Sequence, residues 1–259
     1  MKSARYLVLV GCIVLCSDLC RAQVQDTAEN VADQADSKSR GLHWKRVDWI
    51  LPASLITVGS IIATDKDADE FFISNYEIWE ERNEKFINFS ATADNYLQYT
   101  PAAAAFILSA SGVPGRNDLP NQIALFAKSE LLMLGIVYPL KRLAGETRPD
   151  TGRKNSFPSG HTAQAFVAAT FFSKEYGYKS VWYSVGAYTI ATTVGVFRIL
   201  NNRHWISDIM VGAGIGILST NFVYATHKHR WGHKKKEADM TLLPFYERGS
   251  GGMYLKISL

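Results

Sequence analysis

The sequence predicts an all-α protein built from six apolar helices, followed by a short β-hairpin. Hydrophobic residues make up 47% of the 259-residue chain and are concentrated in six runs separated by polar stretches. Most of these runs are too long for single strands. Strand-like alternation is limited to the C-terminal end. The six predicted helices are Trp49–Thr64, Leu97–Val113, Gln122–Leu140, His161–Ser173, Val181–Leu200 and Trp205–Thr226.

The length and composition of these helices favour a bundle embedded in a membrane. Several approach the roughly 20 residues that cross a bilayer. Aromatic residues near the start of the fifth helix are typical of the membrane interface, and three glycines in "VGAGIGI" suit close helix packing. The charged residues Lys128 and Glu130 fall inside the third helix, which disfavours a membrane span there. A soluble helical bundle is therefore the alternative.

The N-terminus has the layout of a secretory signal peptide. Lys2 and Arg5 precede an apolar run, and Ala22 follows in a region with the small residues Ser17 and Cys20. We therefore expect a leader over residues 1–22, with an uncleaved anchor as the alternative. All three cysteines lie in this leader, so the exported chain would have neither disulfides nor thiolate metal ligands. A polar segment, 23–45, follows.

The remaining chain divides into a helical domain, 46–230, and a basic tail with the possible hairpin, 231–259. Within the helical domain, the acidic stretch from Asp65 to Asp94 is expected to form a surface helix. Its inward face would carry Phe71, Phe72, Ile78 and Trp79. In the tail, two alternating runs flank the turn-forming "RGSGG". The basic run "HKHRWGHKKK" has no nucleic-acid motif around it, so a nucleic-acid partner is not expected.

Charge distribution predicts the orientation in the membrane. The lysines and arginines that follow the sixth helix place its end in the cytoplasm, so the start of that helix faces outward. The end of the third helix and the start of the fourth share the outer side. A cleaved leader would also leave the N-terminus outside, which conflicts with six spans. Either the first helix does not cross, leaving five spans, or the leader is retained.

Three short motifs lie at helix ends on this outer side. They are Lys141 with Arg148 in "KRLAGETRP", Ser159, Gly160 and His161 in "PSGH", and Arg198, His204 and Asp208 in "RILNNRHWISD". Each alone has an ordinary explanation, such as a helix cap or an ion pair between residues four apart. Together they suit the binding of phosphate, because an arginine can donate two parallel hydrogen bonds to phosphate oxygens and a helix N-terminus attracts anions.

The two histidines suit complementary steps of a phosphoryl transfer. Asp208 lies one helical turn after His204 and can accept a hydrogen bond from one ring nitrogen. That contact fixes the tautomer and leaves the other nitrogen free to attack phosphorus. His161 can then act as the general acid on the leaving oxygen.

The order and spacing of these motifs resemble the three-part signature of the type 2 phosphatidic acid phosphatase and vanadium haloperoxidase superfamily. The likeness runs from Lys141 to Asp208, and the helical pattern resembles the bundle of that family. It departs at Phe197, where the family usually has a serine before the arginine of the third motif. That change removes one possible hydroxyl contact.

The resemblance implies a metal-independent, cofactor-free phosphatase that works through a phosphohistidine. His204 would be the nucleophile, Asp208 its orienting partner and His161 the acid and then the base. The phosphoryl oxygens would be held by Lys141, Arg148, Ser159, Gly160 and Arg198. The expected substrate is a phosphorylated membrane lipid of the lipid A, undecaprenyl pyrophosphate or phosphatidylglycerol phosphate class. No obligatory protein partner is expected.

The expected location is the inner membrane, with the active site facing the periplasm. Three alternatives remain open at this stage. One is a soluble periplasmic acid phosphatase of broad specificity, and another is a vanadate-dependent haloperoxidase that uses the same pocket. The last is a lipid-binding or structural membrane bundle without catalysis, which the intact set of three motifs disfavours.

Overall fold

The computed structural model describes residues 46–64, 74–227, 239–247 and 250–258. The predicted leader, the polar segment 23–45, Phe71, Phe72 and the basic run from Lys228 to Lys236 lie outside the described residues. Contacts divide the chain into two units, with the boundary between His227 and Lys228. The first unit contains the helices, and the second contains two strands.

Eight helices occur in the described part of the first unit. They are α1 (Arg46–Thr64), α2 (Asn75–Lys85), α3 (Asp94–Leu97), α4 (Thr100–Ala110), α5 (Leu119–Ala144), α6 (Gly160–Tyr176), α7 (Val181–Leu200) and α8 (Ile206–Thr226). Six of them coincide with the six predicted apolar helices. The predicted count of six was too low, because the short helices α2 and α3 also form between Asn75 and Leu97.

In the described part of the acidic stretch, from residue 74 onward, two short helices form, α2 within the stretch and α3 beginning at its last residue. Ile78 is half-buried in α2, whereas the ring of Trp79, predicted to face inward, is 38% exposed. The buried side chain of α2 is Arg82, whose Nε donates to the carbonyl oxygen of Leu200 at 2.9 Å. Polar anchoring therefore fixes α2 on α7, which a search for apolar periodicity does not detect.

Helix α6 is the centre of the bundle and packs against α4, α5, α7 and α8. Small side chains line it, and Ala163, Ala165, Ala168 and Ala169 are fully buried. They allow neighbouring helices to approach closely, and larger residues of those helices complete the core. One part of the core is built around Leu125, Phe171 and Tyr176, and another around Met133, Val167 and Ile215.

The glycines of "VGAGIGI" bring α8 against two other helices. A Cβ atom on Gly212 would lie 2.6 Å from the carbonyl oxygen of Ser159, and one on Gly216 would lie 2.4 Å from that of Ala163. A Cβ on Gly214 would lie 2.8 Å from the carbonyl oxygen of Pro52 in α1. Only glycine fits these contacts, so the close packing expected from the sequence is present.

Helix α5 begins and ends with the residues that favour helix termini. Asp118 precedes its first turn, which contains Pro120, and Gly145 follows its last residue with a φ of 59°. Glycine adopts this left-handed conformation at little cost, and it terminates the helix just after Lys141. The chain then turns into the loop that carries Arg148 and the second motif.

Two of the described helices, α5 and α8, are long and apolar enough to cross a membrane. Most of α8 is buried inside the bundle, whereas most of α5 is exposed. The sequence pattern had indicated five or six spans. Among the described helices, α6 is shorter than a span, because it has 17 residues.

The second unit contains an antiparallel pair of strands, β1 (Asp239–Glu247) and β2 (Ser250–Ser258). Tyr246 pairs with Gly251 and Glu247 with Ser250, so the chain reverses between positions 247 and 250.

Candidate active site

The candidate site forms where the end of α5 and the start of α6 meet the end of α7 and the start of α8. The loops before α6 and before α8 complete it. Lys141 lies in the last turn of α5, and Arg148 in the loop that follows. Ser159 precedes α6, and His161 is its second residue. Arg198 is in the last turn of α7, and His204 lies just before α8. The structure thus brings the three motifs to one end of the bundle.

The side chains of His204 and Asp208 are both buried and contact each other directly. Asp208 Oδ2 lies 3.0 Å from His204 Nδ1. The same oxygen accepts hydrogen bonds from the Trp205 backbone N–H at 3.0 Å and from Ser156 Oγ at 2.5 Å. A carboxylate oxygen that accepts from several donors is held in one position. The His204 ring is therefore fixed through Nδ1, which leaves Nε2 for chemistry.

Burial keeps His204 neutral at physiological pH. It lowers the pKa of the imidazole from the ordinary value of 6.5 to about 4, although the hydrogen bond and charge of Asp208 act to raise it. The positive charges of Lys141 and Arg148 lower this pKa further. A neutral imidazole retains the lone pair that a nucleophile needs.

The second motif is joined to the third through backbone contacts. The Ser159 N–H donates to the carbonyl oxygen of Asp208 at 3.0 Å. Ser159 Oγ accepts hydrogen bonds from the Thr162 backbone N–H at 3.5 Å and from Thr162 Oγ1 at 2.9 Å, so this serine opens α6 as its cap residue. A Cβ on Gly160 would meet Lys141 Cε at 3.8 Å. The N-terminus of α6 therefore lies beside the Lys141 side chain.

The cations of the site are positioned by uncharged partners or by a buried carboxylate. Lys141 Nζ donates to the carbonyl oxygens of Asn155 and Ser156, at 3.0 and 3.1 Å. Arg148 Nε donates to Asn155 Oδ1 at 2.8 Å. Burial, followed by the neighbouring charge of Arg198, lowers the pKa of the Arg148 guanidinium. Cations that disfavour one another in this way would gain from a bound anion.

Arg198 has a partner that the motif search did not identify. Its Nη1 lies 2.7 Å from Asp94 Oδ2, and both side chains are buried. Asp94 begins α3. Oδ1 of the next residue, Asn95, lies 3.0 Å from His161 Nε2. Asp94 was assigned to an acidic surface stretch, which the structure corrects. Its four-residue helix is too short for a periodicity signal, so sequence offered no means of pairing these residues.

Ser156 is another residue of the site that sequence reasoning missed. It is fully buried, and its hydroxyl contacts both Asp208 and His204 Nδ1, the latter at 3.3 Å. Its position three residues before Ser159, inside "NSFPSGH", was the only available signal. By contrast, Arg153, Lys154 and Arg203, considered as additional phosphate contacts, are exposed, and Arg203 pairs with Asp150 at 3.1 Å.

Phe197, which replaces the serine usual in the resembled family, takes part in packing. Its ring centroid lies 5.6 Å from that of Phe89, in the loop before α3. An apolar contact of this kind holds the α3 region against α7. Among the described residues, no group of three or more His, Cys, Asp or Glu side chains could hold a metal ion.

Comparisons with known proteins match the part of the chain that carries the three motifs. The family model of the PAP2 superfamily matches residues 122–231, a range that includes every predicted site residue but excludes Asp94 and Asn95. A lipid A 1-phosphatase of Porphyromonas gingivalis is 44% identical over 132 residues. The match covers 51% of this chain, which spans about 30% of the length of that relative.

Two solved structures show weaker similarity. The crystal structure of Aquifex aeolicus LpxE has 22% identity and a TM-score of 0.46. The match covers 60% of this chain and 98% of the LpxE chain. A transmembrane PAP2 type phosphatidylglycerolphosphate phosphatase from Bacillus subtilis has 20% identity and a TM-score of 0.43, covering 67% and 94%. Together with the three motifs, the family match confirms the resemblance drawn from the sequence. Residues 122–231 of this chain match the family model of the PAP2 superfamily.

Proposed function

We propose that this protein is a membrane-bound lipid phosphatase that transfers a phosphoryl group to His204 and then to water. The observation that carries the proposal is the buried contact between His204 Nδ1 and Asp208 Oδ2, in the field of the cations Lys141 and Arg148. This arrangement supplies a neutral, oriented nucleophile and a binding site for its anionic substrate. The same geometry has no evident use in a purely structural helical bundle.

In the first step, His204 Nε2 attacks phosphorus and the bond from phosphorus to the leaving oxygen breaks. His161 gives its proton to that oxygen. Lys141, Arg148, Arg198 and the N-terminus of α6 at Ser159 and Gly160 hold the non-bridging oxygens. A loose transition state spreads its negative charge over these oxygens and leaves little covalent chemistry to the protein, so positioning and electrostatic stabilisation supply most of the catalysis.

In the second step, water replaces His204 on the phosphoryl group. His161, now neutral, accepts a proton from the attacking water. The bond between phosphorus and His204 Nε2 breaks, and inorganic phosphate leaves. Asp208 keeps the His204 ring in one orientation through both steps. No step in this scheme requires a metal or an organic cofactor.

The proposed substrate is a lipid-linked phosphate, with the sugar phosphate of lipid A as the first candidate. The relative from Porphyromonas gingivalis, a lipid A 1-phosphatase, supports this choice through 44% identity over 132 residues. Undecaprenyl pyrophosphate and phosphatidylglycerol phosphate are the other candidates. The enzyme would lie in the inner membrane with its site facing the periplasm, as the basic tail after α8 suggests.

Exposed apolar side chains support contact with lipid. The outer faces of α4, α5 and α7 carry large apolar residues that are more than half exposed: Ile107, Ile123, Leu131, Tyr138, Leu143 and Trp182. Soluble monomeric proteins rarely expose so much apolar surface in neighbouring helices. A membrane around these helices would cover that surface. Release of the full chain by osmotic shock without detergent would instead favour the soluble periplasmic alternative.

The proposal is tested by phosphate release from purified lipid A, undecaprenyl pyrophosphate and phosphatidylglycerol phosphate in detergent. His204→Ala should abolish release from every substrate. His227→Ala is the matched control, because His227 follows the far end of α8, and this variant should keep its activity. Release by His204→Ala at the native rate would overturn the mechanism. No release by the native protein from any of the lipids would overturn the function.

Trapping the intermediate gives a second test. Rapid quenching with a radiolabelled phosphate ester should leave a label that is stable to base and labile to acid, as expected for phosphohistidine. With an aryl phosphate, whose leaving group needs little protonation, His161→Ala should accumulate this label because its second step lacks a base. A label on any residue other than His204 would contradict the assignment.

A further inference from the structure

The short helix α3 contacts both sides of the candidate site through two consecutive residues. Asp94 Oδ2 lies 2.7 Å from Arg198 Nη1, and Asn95 Oδ1 lies 3.0 Å from His161 Nε2. Both residues precede the region matched by the PAP2 family model, which begins at residue 122. The His161 contact is therefore an addition to the three motifs, supplied by a distant part of the chain.

Asn95 is held in place independently of His161. Its backbone carbonyl accepts a hydrogen bond from Gln98 Nε2 at 2.8 Å, and Gln98 is buried. The preceding residue, Asp94, is fixed by its buried ion pair. Because the turn is anchored on both sides, the Asn95 amide can determine the orientation of the His161 ring.

The contact with Asn95 gives the two ring nitrogens of His161 different roles. An amide oxygen accepts a hydrogen bond only from a protonated nitrogen, so Asn95 Oδ1 favours a proton on Nε2. His161 makes no other side-chain hydrogen bond within the described residues. Nδ1 is then the nitrogen that exchanges protons with the substrate. His204 is anchored in the opposite way, through Nδ1, and reacts at Nε2.

We propose that Asn95 is a positioning residue that anchors His161 Nε2 and so assigns proton transfer to Nδ1. This inference rests on the proposed function. Burial, followed by the charge of Arg198, lowers the pKa of the His161 imidazole to about 4, and the negative charge of a bound phosphate ester would favour its protonated form. In the first step, this imidazolium gives its Nδ1 proton to the leaving oxygen while the phosphorus to oxygen bond breaks. The ring is left neutral with its remaining proton on Nε2, held by Asn95. Its Nδ1 lone pair then accepts a proton from the water that attacks phosphohistidine.

Leaving-group dependence separates this role from a structural one. An alkyl phosphate must have its leaving oxygen protonated, whereas p-nitrophenyl phosphate releases a stable anion and needs little help from an acid. The ratio kcat/KM reports steps up to the departure of this group. A defect in positioning the acid should therefore reduce kcat/KM for hexadecyl phosphate far more than for p-nitrophenyl phosphate.

The experiment compares Asn95→Ala, Asn95→Asp and the control Asn88→Ala, an exposed asparagine outside the site, in the full chain in detergent. Asn95→Ala should lower kcat/KM for hexadecyl phosphate about 10- to 100-fold and for p-nitrophenyl phosphate less than about 3-fold. Asn95→Asp keeps an acceptor oxygen and should restore most of the loss. Asn88→Ala should match the native protein on both substrates.

Each other outcome has a definite meaning. Equal losses on both substrates in Asn95→Ala, or no loss on either, would overturn the role of Asn95. An Asn95→Asp variant as impaired as Asn95→Ala would overturn it as well. If the native protein released phosphate from neither ester and from none of the candidate lipids, the proposed function itself would fail, independently of Asn95.

Discussion

Asp208 Oδ2 lies 3.0 Å from His204 Nδ1 and also accepts hydrogen bonds from Ser156 Oγ and the Trp205 N–H. The three donors reach this oxygen from the loop before α6, from His204 and from the start of α8. One carboxylate thus fixes the nucleophile and joins the second motif to the third. The first two predictions test the separate contributions of this carboxylate and of the serine hydroxyl.

Asp208→Asn should lower kcat by about 100- to 10,000-fold, because an amide can hold the His204 ring in the wrong tautomer. The side chain remains similar in size, so the unfolding temperature should change little in comparison. Steady-state phosphate release and thermal unfolding in detergent measure the two effects. A kcat within 3-fold of native, with the protein folded, would show that Asp208 does not orient the nucleophile.

Ser156→Ala should lower kcat by about 10- to 100-fold, as expected for losing one hydrogen bond to a charged acceptor. KM should stay close to the native value, because Ser156 contacts Asp208 and His204 and is not one of the proposed phosphate ligands. Ser156→Thr keeps the hydroxyl and serves as the comparison. A rise in KM without a fall in kcat would instead make Ser156 part of the phosphate site.

The free energy of unfolding should decrease as the pH is lowered through the window set by the pKa of His204. Burial lowers this pKa to about 4 in the folded protein, whereas the unfolded chain retains the ordinary value of 6.5. Between these two values the unfolded state binds more protons, so acidification favours unfolding by up to about 3 kcal/mol. Above pH 6.5 the effect of this group is absent.

The matching measurement is the unfolding temperature of the native protein and of His204→Asn from pH 7 to pH 4. The native protein should lose more stability than the variant over this interval. Parallel curves for the two proteins would show that His204 titrates normally and is not buried as the structure indicates.

Gly212→Ala should destabilise the protein by about 1–3 kcal/mol, the usual cost of adding a methyl group to a tightly packed contact. The new Cβ would lie 2.6 Å from the carbonyl oxygen of Ser159, so α8 must move away from the start of α6. Activity should fall as well, because this movement separates Asp208 from Ser159.

Gly186→Ala is the matched control for the change at Gly212. Gly186 lies inside α7, and a Cβ there would meet no atom within 4 Å. Alanine favours helix over glycine, so this variant should be as stable as the native protein or slightly more so. If both glycine variants behaved alike in unfolding and phosphate release, close contact at Gly212 would not be the cause.

The sequence by itself was sufficient to place the six principal helices and the three motifs. Long apolar runs are local signals, and their effect on the backbone depends little on the rest of the fold. The four-residue spacing of His204 and Asp208 likewise indicated their contact, which forms across the start of α8 because His204 lies just before this helix. These features could be read because neighbouring residues determine them.

The partners of the motifs were decided by the tertiary structure. Ser156 joins His204 and Asp208 from a position about 50 residues away, and Asp94 reaches Arg198 across about 100 residues. Short polar turns such as the one at Asp94 and Asn95 have no periodicity, so their side chains could equally face water. Only the packing of α6, α7 and α8, made possible by small residues, determines which polar groups are buried together and must bind each other.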